Sequence, residues 1–223
     1  MAMQLQHQWL GSGIDYQQGL EIQQDLVTRV LEANSEGNGE RDGQNHLLTL
    51  EHAPVYTIGR TRDQSSLGEN TSTLPHPVVE INRGGQATYH GPGQLTGYPI
   101  VDLRDLGKDL HAYIRALEEA LIQTCAEYGV EARHREGLTG VWVENRKLAS
   151  IGVGVRKWIS MHGFAINLSR ECLQGFLAIT PCGIDDVTMT CLEIECGADI
   201  NTEQFARRCL PHLEDSLAQM LAK

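Results

Sequence analysis

Apolar positions recur at helical spacing between residues 16 and 34, where Leu20, Leu26, Val27, Val30 and Leu31 share one side. That period predicts an amphipathic helix, and SEGNGERDGQN after it, with turn formers and no apolar residue, reads as a solvated loop. HLLTLEHAPVYTIG reads as a buried strand interrupted at Pro54, and RTRDQSSLGENTSTLPHP as a long polar loop of the kind used for lids and recognition. A second helix is predicted over residues 110 to 128, with Leu110, Tyr113, Ile114, Leu117, Leu121 and Cys125 on one face and Gly129 as a left-handed cap. The last helix begins after Asn201, where Gln204 stands in a capping-box position, and presents Phe205, Cys209, Leu213 and Leu217. Pro211 is expected to bend it. PVVEIN, LTGYPIVDL, GVWVEN, KLASIGVGVR and ISMHGFAINL read as strands joined by short turns, which predicts an antiparallel or mixed sheet in an α/β fold of the α+β type.

Two of these strands have an unusual pattern. Alternation in KLASIGVGVR puts Lys147 at the head of an apolar row with Ala149, Ile151, Val153 and Val155, and puts Leu148, Ser150, Gly152, Gly154 and Arg156 on the other face. In ISMHGFAINL the rows are His162, Phe164, Ile166, Leu168 and Met161, Gly163, Ala165, Asn167. With a turn near residues 157 to 160, an antiparallel register can set Gly154 opposite Gly163 and Gly152 opposite Ala165. That bare patch is either a trough for a thin, unbranched ligand such as an acyl chain or the seat of a crossing helix.

Length and charge then narrow the class. The 223 residues, 41% of them hydrophobic, suit one domain spanning residues 1–223. The balance of 18 basic against 29 acidic side chains gives a net charge of -11, which argues against a nucleic-acid partner. MAMQLQHQWLGSGIDY has neither a basic leader nor an apolar run. No stretch of the chain approaches the roughly 18 apolar residues of a membrane span. A cytoplasmic protein without a membrane partner is therefore expected. The six cysteines include no C-x-x-C pair, so no metal site is expected and most are read as free, small apolar fillers.

The candidate chemistry starts in RGGQATYHGPGQLTGYP, Arg83 to Pro99. It lacks the phosphate-loop signature, and GPGQLTG misses the dinucleotide pattern by one residue and runs into a strand where that pattern opens a helix. It reads either as a hairpin connection or as a ligand-gripping loop, in which Gly84 and Gly85 allow close approach while Arg83, Thr88, Tyr89 and His90 orient the ligand. Cys182, between Pro and Gly in AITPCGID, is a candidate nucleophile or a structural thiol. Lys147 could activate it as a desolvated base or as a cation stabilising the thiolate, and His90 and His162 could do the same or be structural.

LEHAPVYTIGR, RGGQATYHGPGQL, KLASIGVGVRKWISMHGFAINL and PCGI together resemble the lipoyl (octanoyl) transferases, the octanoyl-[acyl-carrier-protein]:protein N-octanoyltransferases, over about Leu50 to Ile184. The resemblance implies a biotin/lipoate ligase-like fold, with a large mixed sheet and a smaller sheet packed against helices. It implies octanoyl transfer through a thioester on Cys182, with Lys147 lowering the thiol's pKa and no cofactor. Its substrate-binding segments fall on Arg83, Gly84, Gly85, Gln86, Ala87, Thr88, Tyr89 and His90, on Ser150, Ile151 and Gly152, and on Gly163, Phe164 and Ala165. The implied partners are octanoyl-acyl carrier protein and the lipoyl domains of 2-oxoacid dehydrogenase subunits and of the glycine cleavage H protein. Because such partners are acidic, Arg60, Arg62, Arg83, Arg146, Arg156 and Lys157 form an expected docking patch. An ATP-dependent ligase of the same fold, a non-catalytic binding module and a thioester hydrolase are the rival readings. The loop after Glu36 and the stretch from Cys191 to Asp199 depart from the family pattern.

Overall fold

The computed structural model describes residues 3–33, 45–59, 67, 74–179 and 187–221. Cys182, Arg60, Arg62 and most of both long polar loops lie outside the described residues.

The predicted helices form where their apolar stripes recur. In chain order the elements begin β1 (Leu5–Trp9), α1 (Tyr16–Ala33), β2 (Asn45–Leu50), β3 (Val55–Ile58), β4 (Val78–Glu80), β5 (Thr88–His90), β6 (Gln94–Ile100) and α2 (Leu110–Ala126). They continue with β7 (Arg133–Arg135), β8 (Leu138–Val143), β9 (Arg146–Arg156), β10 (Ile159–Asn167), a 3-10 helix (Arg170–Ala178), β11 (Thr188–Met189), α3 (Leu192–Cys196) and α4 (Thr202–Leu221). Asp109 caps α2 by accepting from the Ala112 amide at 2.9 Å, and Asn201 caps α4 by accepting from the Gln204 amide at 2.8 Å. Gly129 takes its left-handed conformation just past α2, and α4 runs through Pro211 as one helix.

Among the described residues the strands form a large mixed sheet in the order β1-β2-β6-β10-β9-β8-β7, with β11 paired to β9, and a small sheet ordered β4-β3-β5. The expected break at Pro54 is where the chain leaves the large sheet for the small one. Side chains alternate across the large sheet. Leu47, Val101 and Val153 meet α2 and α4 on one face, while Leu48, Leu50 and Tyr98 meet α1 on the other. The buried line of α1 includes the polar Gln23, whose Oε1 accepts from the His162 amide at 2.8 Å, where β10 bends through a left-handed residue. That bond satisfies a backbone donor that the bend removes from the ladder.

Two expectations about β9 and β10 are corrected. The hairpin closes in two residues, Lys157 and Trp158, both left-handed with φ of 50° and 70°, the twist that a two-residue turn needs. This tighter turn moves the register by two residues, so that Gly152 faces Gly163, Ser150 faces Ala165, and Gly154 faces Met161. The small positions still share a face, because a shift of two preserves the pleat. Further along, β8 and β9 pair Val141 with Ala149 but Trp142 with Lys147, leaving Leu148 as an extra residue on β9. Leu148 and Ala149 both lie in the helix-side core, and Lys147 leaves the predicted apolar row for the face of Ser150 and Gly152.

Among the described residues the bare face at Gly152 and Gly154 meets a loop and not a helix. A Cβ on Gly152 would lie 2.9 Å from Arg83 Cδ, and one on Gly154 would lie 2.8 Å from the Asn82 carbonyl. The glycines admit the loop before β5, which is tied down by the Gly84 amide donating to Val153 O at 3.0 Å.

Candidate active site

A cavity of about 210 Å³ opens between that loop and the α1-side face of β6, β9 and β10. Arg83, Gly85, Gln86, Ala87, Thr88 and His90 border it from the loop and β5. Ser150, Ile151 and Gly152 border it from β9, and Gly163, Phe164 and Ala165 from β10. Lys147 joins them. Two expected binding residues stand apart. Gly84 makes the backbone tie to β9, and Tyr89, alternating away from Thr88 and His90, packs against Tyr56 and Phe176 in the small-sheet core.

The loop wall is held by a buried polar chain. Arg83, 7% exposed, donates from Nη2 to Thr57 Oγ1 at 2.9 Å and to Thr57 O at 3.1 Å, and from Nη1 to Gly84 O at 2.8 Å. His90 Nδ1 donates to Gln94 Oε1 at 2.8 Å, which leaves Nε2 to accept from the Thr57 hydroxyl at 3.3 Å. Gln94 Nε2 donates onward to Asn167 Oδ1 at 3.0 Å. Burial, with His52 and Arg83 nearby, holds His90 well below the usual histidine range, so it is neutral and both ring nitrogens are engaged. Held this way, it orders the wall.

At the other end Lys147, 3% exposed, sets its Nζ 5.3 Å from the centroid of the buried Trp142 ring. Gly140, at φ +128°, makes room there, since a Cβ on it would lie 2.9 Å from Lys147 Cε. Its amide donates at 2.6 Å to Glu118, a carboxylate of α2 that is fully buried and also accepts from Arg115 at 2.5 Å. The chain re-enters the described residues at Val187 and pairs Met189 with Lys147.

Sequence reasoning passed over Tyr16, Thr96, Tyr98 and Thr139, which also border the cavity. The polar aromatic in LTGYPIVDL was the available signal, because a tyrosine in a buried strand needs a partner for its hydroxyl. Tyr98 has one: its hydroxyl lies 2.6 Å from His52 Nε2. Burial pushes Tyr16 up to about 12 and Tyr98 well above the usual tyrosine range, so both hydroxyls keep their protons. The thiols of Cys125, Cys172 and Cys209 are buried and raised by that burial, which makes them poor nucleophiles. Among the described residues no cluster of His, Cys, Asp and Glu could hold a metal ion, and no helix is long and apolar enough to cross a membrane.

The docking patch expected from sequence does not assemble among the described residues. Arg83 is buried, Arg146 is paired with Glu144 at 2.6 Å and Glu195 at 2.9 Å, and Arg156 and Lys157 sit at the hairpin tip, at the far end of β9 from Lys147.

Comparison with known proteins agrees with the fold. A bipartite lipoate protein ligase from Thermoplasma acidophilum, solved with its E2 lipoyl domain, superposes with a TM-score of 0.65 at 16% identity, over 97% of this chain and 84% of that one. A lipoate-protein ligase A bound with ATP gives 0.65 at 14% identity over 98% and 86%, and the biotin protein ligase of Aquifex aeolicus gives 0.60 at 15% over 98% and 72%. In sequence, the octanoyltransferase of Geobacter metallireducens is 47% identical over 84% of this chain and 82% of its own length. That of Synechococcus elongatus is 48% identical over 78% and 73%. The family model for the lipoyl protein ligase A/B catalytic domain matches residues 15–214. The chain belongs to that catalytic-domain family and, within it, to the octanoyltransferases.

Proposed function

We propose that the protein transfers an octanoyl group from octanoyl-acyl carrier protein to the target lysine of lipoyl domains, through a thioester on Cys182. One observation carries this reading. A single cavity gathers Lys147 with residues of all the substrate segments that the family resemblance implies, from β5, β9 and β10.

The chemistry needs no activation step. The Cys182 thiolate attacks the octanoyl carbonyl carbon, its C–S bond forms as the carrier's C–S bond breaks, and Lys147 passes the thiol proton to the leaving phosphopantetheine sulfur. The acceptor lysine amine then attacks the Cys182 thioester. Lys147 takes the amine proton and returns it to the departing thiolate, and an amide is left on the lipoyl domain. The first exchange is nearly neutral in free energy and the second is downhill, so no ATP is consumed. The largely apolar chamber suits the eight-carbon chain, and burial takes the thiols of Cys125, Cys172 and Cys209 out of the reactive range.

Intact mass after incubation with octanoyl-carrier protein tests the reading. Wild type gains one octanoyl group and loses it when a lipoyl domain is added, while Cys182→Ala gains none. An acyl group mapped to another cysteine, or transfer that requires ATP and free octanoate, would overturn it.

A further inference from the structure

The motif LEHAPVYTIGR contributes a histidine that the proposed chemistry does not use. His52 is fully buried behind the cavity and does not border it. Its Nδ1 lies 3.0 Å from the Ile14 carbonyl, and a carbonyl only accepts, so Nδ1 carries the ring proton and Nε2 is the acceptor. Tyr98 must therefore donate its hydroxyl proton to His52 Nε2 across 2.6 Å. Tyr16 borders the cavity beside it, with its ring centroid 4.9 Å from that of His52. Gly19 of α1 makes room for the imidazole, since a Cβ there would lie 3.0 Å from His52 Cε1.

This cluster stands at one end of the cavity. A Cβ on Gly163 would run into the backbone of Gly97 and the ring of Pro99, so Gly163 lies beside Tyr98, and Gly163 pairs with Gly152. Lys147 is at the opposite end, five residues back along β9, or roughly 15 Å at the usual strand rise. An acyl chain whose carbonyl sits near Lys147 extends toward Tyr98 and Tyr16.

We infer that Tyr98 and Tyr16, held by His52, form the blind polar wall that limits the length of the acyl chain. Each methylene gains by leaving water until the chain end meets the Tyr98 hydroxyl, already committed to His52. A further methylene would have to break that bond and leave buried polar groups unpaired. His52 is thus a positioning residue acting through Tyr98. The inference rests on the acyl-transfer reading.

The test measures kcat/KM for hexanoyl, octanoyl, decanoyl and dodecanoyl thioesters with a lipoyl domain as acceptor. Tyr98→Leu, which shortens the wall, is expected to raise decanoyl relative to octanoyl by about tenfold, the worth of two newly buried methylenes. His52→Leu should shift the ratio in the same direction, and His52→Gln, which keeps an acceptor for Tyr98, should restore it. If Tyr98→Leu does not melt as a folded protein, Tyr16→Leu at the first turn of α1 reads the same ratio. A folded variant that loses all chain lengths in parallel, or keeps the wild-type ratio, overturns the wall. Failure of wild type to transfer any octanoyl group would instead overturn the acyl-transfer reading.

Discussion

Lys147 and Trp142 face each other across β9 and β8, with the ammonium 5.3 Å from the indole centroid, only because Leu148 is an extra residue between Lys147 and Ala149. Without that bulge the pleat would turn Lys147 into the helix-side core with Ala149. The bulge re-aims one side chain toward a cavity, and the indole holds it there.

If transfer runs as proposed, with Lys147 beside Cys182, Lys147→Ala should raise the pH at which iodoacetamide alkylates Cys182 by about one pH unit, through loss of that cation. It should also slow both acyl transfers. Trp142→Leu, which keeps the lysine but not its ring, should give part of the same shift. An alkylation profile unchanged in Lys147→Ala would remove the lysine from the thiol's surroundings.

Stability should fall as the protein is acidified from neutral pH. Burial lowers His52 from 6.5 to about 4, so the unfolded chain binds a proton in this window while the folded chain does not. Its contribution is whole above about 6.5 and is lost as pH drops toward 4, amounting to about 3 kcal/mol at the bottom of the window. His90 is shifted the same way and adds to the slope. Thermal melts between pH 7 and 4.5 should show His52→Gln losing less than wild type; equal losses would contradict the assignment.

The two glycines of β9 should separate in their effects. A side chain at Gly154 meets the Asn82 carbonyl and lies outside the cavity, so Gly154→Val should cost about 1–3 kcal/mol and leave the hexanoyl-to-octanoyl ratio alone. Gly152→Ala presses on Arg83 Cδ at the cavity wall and should shift preference toward hexanoyl. A chain-length shift in folded Gly154→Val would mean that the acyl chain runs further along β9.

Reversing Arg156 and Lys157 to Glu should have little selective effect on carrier protein. The tip of β9 stands about 30 Å from Lys147 by strand rise, and charges further apart than about 10 Å are largely screened at physiological salt. Michaelis constants for octanoyl-carrier protein and for a small octanoyl thioester should change together. A rise confined to carrier protein would mean that the carrier docks across the hairpin tip.

What could be read from the chain was local. The stripes that build α1, α2 and α4, the caps at Gly129 and Asn201, and the alternation of β9 and β10 depend on neighbours a few residues away, so their pattern is present in the string itself. The segments that border the cavity were legible through motif resemblance, because each motif is contiguous. The position of Lys147 was not, since a bulge exists only relative to the strand beside it. Nor was the register, because Lys157 and Trp158 adopt left-handed turn conformations that no glycine announces. Gln23, His52 and Glu118 could be buried only because their partners, the His162 amide, the Tyr98 hydroxyl and the Gly140 amide, arrive from distant parts of the chain. A polar side chain's cost of burial is settled by its hydrogen-bond partners, and those are assigned by packing.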